Sequence, residues 1–240
     1  MARFFLFTAG DDLDEYAVEE ALKIVEAHGG NEGDDAAHTV TVISMGPERA
    51  TEAVRKALSM GANDAILITD PALAGSDALL TSKVLSSVIS AGGYDLVICG
   101  TESTDARMSV VPAMISARLG WGQLTFASRV EVDPASSKVS ITRTTEAGVD
   151  EISASFPAVI SVVEKINEPR YPSFKGIMAA KKKTIDSKDL AAIDVSAESG
   201  WSEVKDATPR PPREAGQKVT DENGSGAEAL VNFLAEKKLI

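Results

Sequence analysis

Apolar residues recur at helical spacing through Ala17, Val18, Ala21, Leu22 and Val25, and Gly29-Gly30 stops the helix they predict. Asp11 or Asp14 reads as its cap, with carboxylates gathered near the positive helix end. Before it, Met1 to Thr8 is hydrophobic but short and reads as a first strand or half of a hairpin. A polar loop follows at 31–38. Residues 39–45 then read as a strand closed by Gly46-Pro47, and 49–60 as a helix ending at Gly61. A short buried strand is predicted at 65–68, a helix at 77–90 and an apolar strand at 95–100. A polar turn and a helix over 106–119 come next.

Alternating helices and uninterrupted apolar strands predict a parallel sheet covered on both faces. After Trp121 the pattern changes. Residues 125–132, 139–145 and 151–155 alternate apolar and polar positions, which predicts antiparallel strands at one edge of that sheet. Residues 157–163 return to a buried strand. From 184 to 226 the chain is acidic, thinly apolar and broken by Pro209, Pro211 and Pro212, and it reads as an arm that orders on a partner. A last helix is predicted at 227–234. No internal repeat is visible.

The 240 residues carry a net charge of -12 with pI ≈ 4.7, and the mean hydropathy is -0.01. Ordinary hydropathy argues against wholesale disorder, while the negative field disfavours nucleic acid and anionic membranes as general partners. No apolar stretch reaches the roughly 18 to 20 residues of a membrane span. Cys99 is the only cysteine, and His28 and His38 are the only histidines. That removes a disulfide framework and leaves little for zinc or Ser-His-Asp chemistry. A reducing, cytoplasmic setting is expected.

Neither G-x-x-x-x-G-K-[ST] nor a G-x-G-x-x-G after a strand occurs. What remains is Gly100-Thr101-Glu102-Ser103-Thr104-Asp105, where a buried parallel strand should hand over to a helix. Ligands in open α/β sheets bind beyond the carboxyl ends of strands, and helix N-termini offer N–H groups to phosphate. Thr101, Ser103 and Thr104 add hydroxyl donors. The same residues also suit a plain helix cap. Met45-Gly46-Pro47 and the Asp11 to Asp14 turn would border the same crevice. Cys99, inside an apolar strand, reads as a buried structural thiol.

A second unusual stretch is Tyr171-Pro172-Ser173-Phe174-Lys175-Gly176-Ile177-Met178, after Asn167-Glu168-Pro169-Arg170 and before Lys181-Lys182-Lys183. Its prolines predict an extended chain that offers Phe174 from a loop, with a short helix beginning at Ile177. Phe174 as ordinary core is the competing reading. The lysines suit either a helix C-terminus or docking to an acidic partner.

At these residues the sequence resembles the small (beta) subunit of electron-transfer flavoproteins. The resemblance rests on Ala17-Val18-Glu19-Glu20-Ala21, Gly46-Pro47, Ala57-Leu58-Ser59-Met60-Gly61-Ala62, Thr125-Phe126-Ala127-Ser128, and the run from Asn167 to Lys183. It implies no enzyme but an electron carrier: a heterodimer whose large (alpha) subunit holds most of the FAD. Electrons would pass from acyl-CoA and related dehydrogenases of fatty acid oxidation to a membrane quinone oxidoreductase. It further implies a structural AMP along Gly100-Thr101-Glu102-Ser103-Thr104-Asp105-Ala106-Arg107-Met108-Ser109-Val110-Val111, with Met45 as a further contact. In bifurcating members a second FAD takes the place of AMP. By position, Asp11, Asp12, Leu13 and Asp14 match the family's turn near the flavin, with Leu13 at its edge. Residues 171–178 resemble the loop that anchors dehydrogenases, with Phe174 as anchor and Lys181, Lys182 and Lys183 beside it.

Two departures stand out. Only Met1 to Gly10 precede the first turn, so the family's first strand is expected to be missing or replaced, or the natural start to lie upstream. Ser103-Thr104-Asp105-Ala106-Arg107 replaces the family's usual acidic turn, and Arg107 is either a phosphate contact or a solvated residue. The expected fold class is α/β: a parallel-sheet, adenine-nucleotide-binding (Rossmann-like) domain at 1–183 with an antiparallel edge. An extended C-terminal arm and terminal helix at 184–240 would pack on the partner. A universal-stress-type nucleotide-binding regulatory module is the alternative.

Overall fold

A computed structural model of the chain describes residues 2–8, 12–33, 37–103, 106–197, 200–209, 211–212, 216 and 218–240, with the backbone alone for 2–8 and 12–14. Two compact units divide it, Met1–Glu203 and Val204–Ile240.

The first unit opens with β1 (Ala2–Thr8) and α1 (Asp12–Ala27). The reading of Met1–Thr8 as a first strand, rather than half of a hairpin, is borne out, and the expectation that the first strand is missing is corrected: β1 pairs in parallel with strands on both sides. Asp14 lies within the first turn of α1 rather than at its cap, and Asp11 lies outside the described residues. β2 (His38–Met45), α2 (Thr51–Met60), β3 (Asp64–Ile68), α3 (Ala78–Gly92) and β4 (Leu96–Gly100) follow close to their predicted bounds. Asp77 caps α3 by accepting from Leu80 N at 3.0 Å.

The predicted helix over 106–119 is shorter. Its final turns form α4 (Val111–Leu119), because left-handed backbone at Arg107 (φ 48°) and Ser109 (φ 55°) keeps the preceding segment out of a helix. β5 (Gly122–Ala127), β6 (Arg129–Asp133), β7 (Lys138–Thr145), β8 (Gly148–Ser155) and β9 (Ala158–Val162) come next. α5 (Phe174–Lys182) starts three residues before the predicted Ile177, since the Ser173 hydroxyl caps it by accepting from Gly176 N at 3.0 Å. β10 (Asp186–Lys188) had no counterpart in the sequence pattern; three polar residues carry no apolar alternation to read.

The main sheet runs β10-β3-β2-β1-β4-β9-β5, and every neighbouring pair in it is parallel. The antiparallel edge is therefore corrected. β5 joins the sheet in parallel beside β9, and β6-β7-β8 form a separate antiparallel sheet. The redirection occurs at a bulge between Leu124 and Ala127, where Phe126 takes φ 62° and its amide donates to the buried Ser161 hydroxyl.

Two cores flank the main sheet. Leu96 and Ile98 of β4 with Ala158 and Ile160 of β9 pack toward α1 and α2, together with Val139 and Ile141 of the second sheet. Val97, Cys99 and Val159 pack toward α3 and α4, which agrees with a structural Cys99. That alternation is the two-residue period of a strand buried on both faces.

The second unit carries α6 (Ser225–Glu236), a helix with none of its residues buried; Leu230, Val231 and Phe233 are exposed. Among the described residues no helix is long and apolar enough to cross a membrane, and no cluster of His, Cys, Asp and Glu is placed to hold a metal ion.

Ile98→Ala, in the fully buried centre of β4, should cost about 3–4 kcal/mol, whereas Ile98→Val should cost about 1 kcal/mol. Urea unfolding would show this as a large and a small drop in midpoint.

Candidate functional site

The strand order reverses at β1, with β2 and β3 on one side and β4 and β9 on the other. Such a switch point opens a crevice beyond the carboxyl ends of the strands. Thr8 of β1 pairs with Ser44, and Phe7 pairs with Cys99. Met45 follows Ser44 and Thr101 lies two residues beyond Cys99, so they flank the end of β1 about 10 Å apart, two strand spacings. The sequence-predicted 100–111 segment and Met45 thus share one edge. Gly46 continues the turn, its amide donating to Ile68 O at 3.0 Å.

Within that segment, Gly100 is buried and Ala106, Arg107 and Met108 are exposed. Thr101, Glu102, Ser103, Ser109, Val110 and Val111 are half-buried. Thr101 Oγ1 donates to Val162 O at 2.7 Å, tying the ends of β4 and β9 together. Ser109 Oγ donates to the Glu102 carboxylate at 2.7 Å, and Arg107 N donates to Ser103 O at 3.0 Å. The hydroxyl proton of Thr101 is thus directed at the sheet. α4 begins without a side-chain cap and with Pro112 in its first turn. Pro112 has no N–H, so the first-turn amides that α4 can offer an anion are those of Val111 and Ala113. Thr104 and Asp105 lie outside the described residues, as does Asp11; Asp12, Leu13 and Asp14 are described only as the opening backbone of α1.

The second region is a helix turned inside out. In α5 only Ala180 is buried, while Phe174 is 80% exposed, Ile177 and Met178 are exposed, and the adjoining Tyr171 is 97% exposed. Pro172 and Gly176 are half-buried, and Ser173, Lys175, Lys181 and Lys182 are exposed. Phe174 is thus not core. Lys183 differs from its neighbours: it turns inward and Nζ donates to Ala62 O at 2.6 Å. Burial holds its pKa below the usual lysine value against the pull of Asp64.

Sequence reasoning missed what holds this region. Arg170 lays its guanidinium on two carboxylates of α1, with Nε donating to Glu19 Oε2 at 2.7 Å and Nη2 to Glu26 Oε2 at 3.0 Å. Its backbone N–H also donates to Glu19. Asn167 Nδ2 donates to Tyr16 O and to Glu20 Oε2, both at 2.9 Å. Two of the quoted sequence signatures, 17–21 and 167–171, are therefore the two halves of one polar contact. The available signal was Glu19-Glu20 set beside the apolar stripe of α1, where an unpaired carboxylate would be costly. Burial of Glu19 opposes its charge, yet the hydrogen bonds and charge of Arg170 outweigh it and hold the carboxyl below its usual value.

Arg170→Ala should destabilise the fold by about 2–3 kcal/mol. That is below the full cost of orphaning a buried carboxylate, because a third of Arg170 is solvent-exposed. Since the folded-state pKa of Glu19 is depressed, the stability this clamp contributes is present above about pH 4.5 and is lost as pH falls through the lower folded value. Urea titrations between pH 6 and pH 3 should show a steeper loss for the wild type than for Glu19→Gln. Parallel curves would contradict the ionised clamp.

A family model described as an electron transfer flavoprotein domain matches residues 10–193. The electron transfer flavoprotein subunit beta of Mycobacterium tuberculosis (strain ATCC 25618 / H37Rv) is 47% identical over 238 residues, 96% of this chain and 86% of that protein. The subunit of the same name from Thermoanaerobacterium thermosaccharolyticum is 36% identical over 235 residues, covering 95% and 86%. That from Megasphaera elsdenii is 32% identical over 235 residues, covering 93% and 84%. With its signatures meeting in one contact and its identity to these relatives running almost end to end, the chain belongs to the electron transfer flavoprotein family as a beta subunit, an electron carrier rather than an enzyme.

Proposed function

We propose that this beta subunit pairs with an alpha subunit holding most of a FAD, buries one AMP along residues 100–111, and docks acyl-CoA-type dehydrogenases through α5. Electrons gained there are delivered to a membrane quinone oxidoreductase, in the cytoplasm or at its boundary. The observation that carries the docking role is the outward apolar face of Tyr171, Phe174, Ile177 and Met178. A lone exposed aromatic is unremarkable, but four large side chains on one short segment favour a protein partner. Lys175, Lys181 and Lys182 add local positive charge to a chain at -12 and so favour an acidic partner surface. A self-sufficient regulatory nucleotide-binding module would have no use for this face.

The nucleotide role is supported by the switch point and by the uncapped start of α4. The amides of that turn and Arg107 would hold the phosphate, and Met45 would border the base. Ser109, by donating to Glu102 at 2.7 Å, braces the segment that would line the nucleotide. FAD supplies the one- and two-electron chemistry when bound. This chain's part is to close the flavin site, with Leu13 and its neighbours 11–14 at its edge, and to order its C-terminal residues on the alpha subunit. The exposed apolar side chains of α6 suit that packing.

Co-expression with the alpha subunit, denaturation and quantification of released nucleotides tests the assignment. One FAD and one AMP per pair are expected. Two FAD without AMP would replace AMP by a second flavin, and a stable flavin-free pair would refute the carrier role. Phe174→Ala should raise the KM for a reduced acyl-CoA dehydrogenase roughly tenfold or more, the burial energy of one large apolar side chain, with little change in kcat.

A further inference from the structure

A helix of nine residues is marginal by itself, and α5 has inverted the usual source of helix stability by burying only Ala180. Something other than an apolar face must therefore hold it. At its N-terminus, Ser173 supplies the cap. Along its length, Gly176 lies against α2 so closely that a Cβ there would stand 2.5 Å from Ser59 O. At its C-terminus, Arg55 of α2 reaches across, and Nη1 donates to both Ala180 O and Lys183 O at 2.6 Å.

Ala180 O also accepts from Lys183 N at 3.2 Å, so Arg55 adds a second donor there and takes the carbonyl of the C-cap residue Lys183, at the helix end whose dipole favours a cation. Lys181 and Lys182 are exposed, so the cation that caps α5 comes from a different helix. Arg55 itself is half-buried and set in the middle of α2. Its grip leaves the apolar and lysine side chains of α5 facing outward.

We infer that Arg55 is a positioning residue for partner docking: its guanidinium is turned to the end of α5, and through that contact it sets α5 in the orientation that presents Phe174. The inference rests on the docking role proposed for α5. A preorganised docking element lowers the ordering cost of each encounter, which matters for a carrier that must bind and release repeatedly.

The test uses the co-expressed pair with Arg55→Met, Arg55→Lys and Phe174→Ala. Amide hydrogen exchange of residues 174–182 should quicken about tenfold in Arg55→Met, the loss of a charge-assisted cap, and be largely restored in Arg55→Lys. With an acyl-CoA dehydrogenase that reduces the wild-type pair, Arg55→Met should raise KM about fivefold at unchanged kcat and flavin content. Gly176→Ala, which pushes α5 off α2 with Arg55 intact, should reproduce the KM rise and keeps the test usable if Arg55→Met fails to fold. Unchanged exchange in Arg55→Met overturns the inference. So does faster exchange with unchanged KM while Phe174→Ala raises KM. If Phe174→Ala leaves KM unchanged, it is the docking role of α5 that fails, and the positioning role falls with it.

Discussion

The seven strands of the main sheet run in one direction, and that shared direction governs most of what this subunit can do. Parallel strands need crossovers, and the crossovers place helices over both faces, so β4 and β9 bury side chains to either side. Every strand then ends at the same edge. Where the order reverses at β1, that edge opens, and Met45, Thr101 and the start of α4 arrive there from separate parts of the chain.

The polar contacts divide into those that fasten and those left outward. Arg170 and Asn167 fasten the segment after β9 to α1, while Arg55 and Lys183 fasten α5 to α2 and the turn beyond it. Of the basic residues around α5, Arg55, Arg170 and Lys183 are spent on structure, and Lys175, Lys181 and Lys182 remain exposed. The apolar side chains follow the opposite rule from the rest of the domain, with the largest ones outside. Such an arrangement leaves apolar surface uncovered and so costs the isolated subunit some stability.

Two departures from local expectation mark where the chain changes course. Phe126 occupies left-handed backbone that a bulky residue normally avoids, and the Ser161 hydroxyl receives its amide. This kink ends the parallel sheet and starts the antiparallel one. Arg107 and Ser109 likewise interrupt what reads as a helix from 106, and the open segment they create lies at the crevice. At Phe126 a long-range hydrogen bond overrides the local preference, whereas at Arg107 and Ser109 short-range bonds to Ser103 and Glu102 hold the turn.

Hydrophobic period by itself determined the α/β class, the order of the alternating elements from α1 to β4, the burial of β9 and the presence of antiparallel strands, because strands buried on two faces and amphipathic helices leave unambiguous spacing in a chain. The quoted signatures determined the family. What the tertiary structure decided was everything that depends on contacts between distant residues: that β1 fills the sheet's switch point, that β5 is parallel, that Asp186–Lys188 adds an edge strand, and that Phe174 faces out. Glu19 and Arg170 stand 151 positions apart, and Arg55 and Ala180 stand 125 apart. No local pattern encodes such pairs, since a charged side chain reads alike whether it meets water or a partner until the fold brings that partner within hydrogen-bond reach.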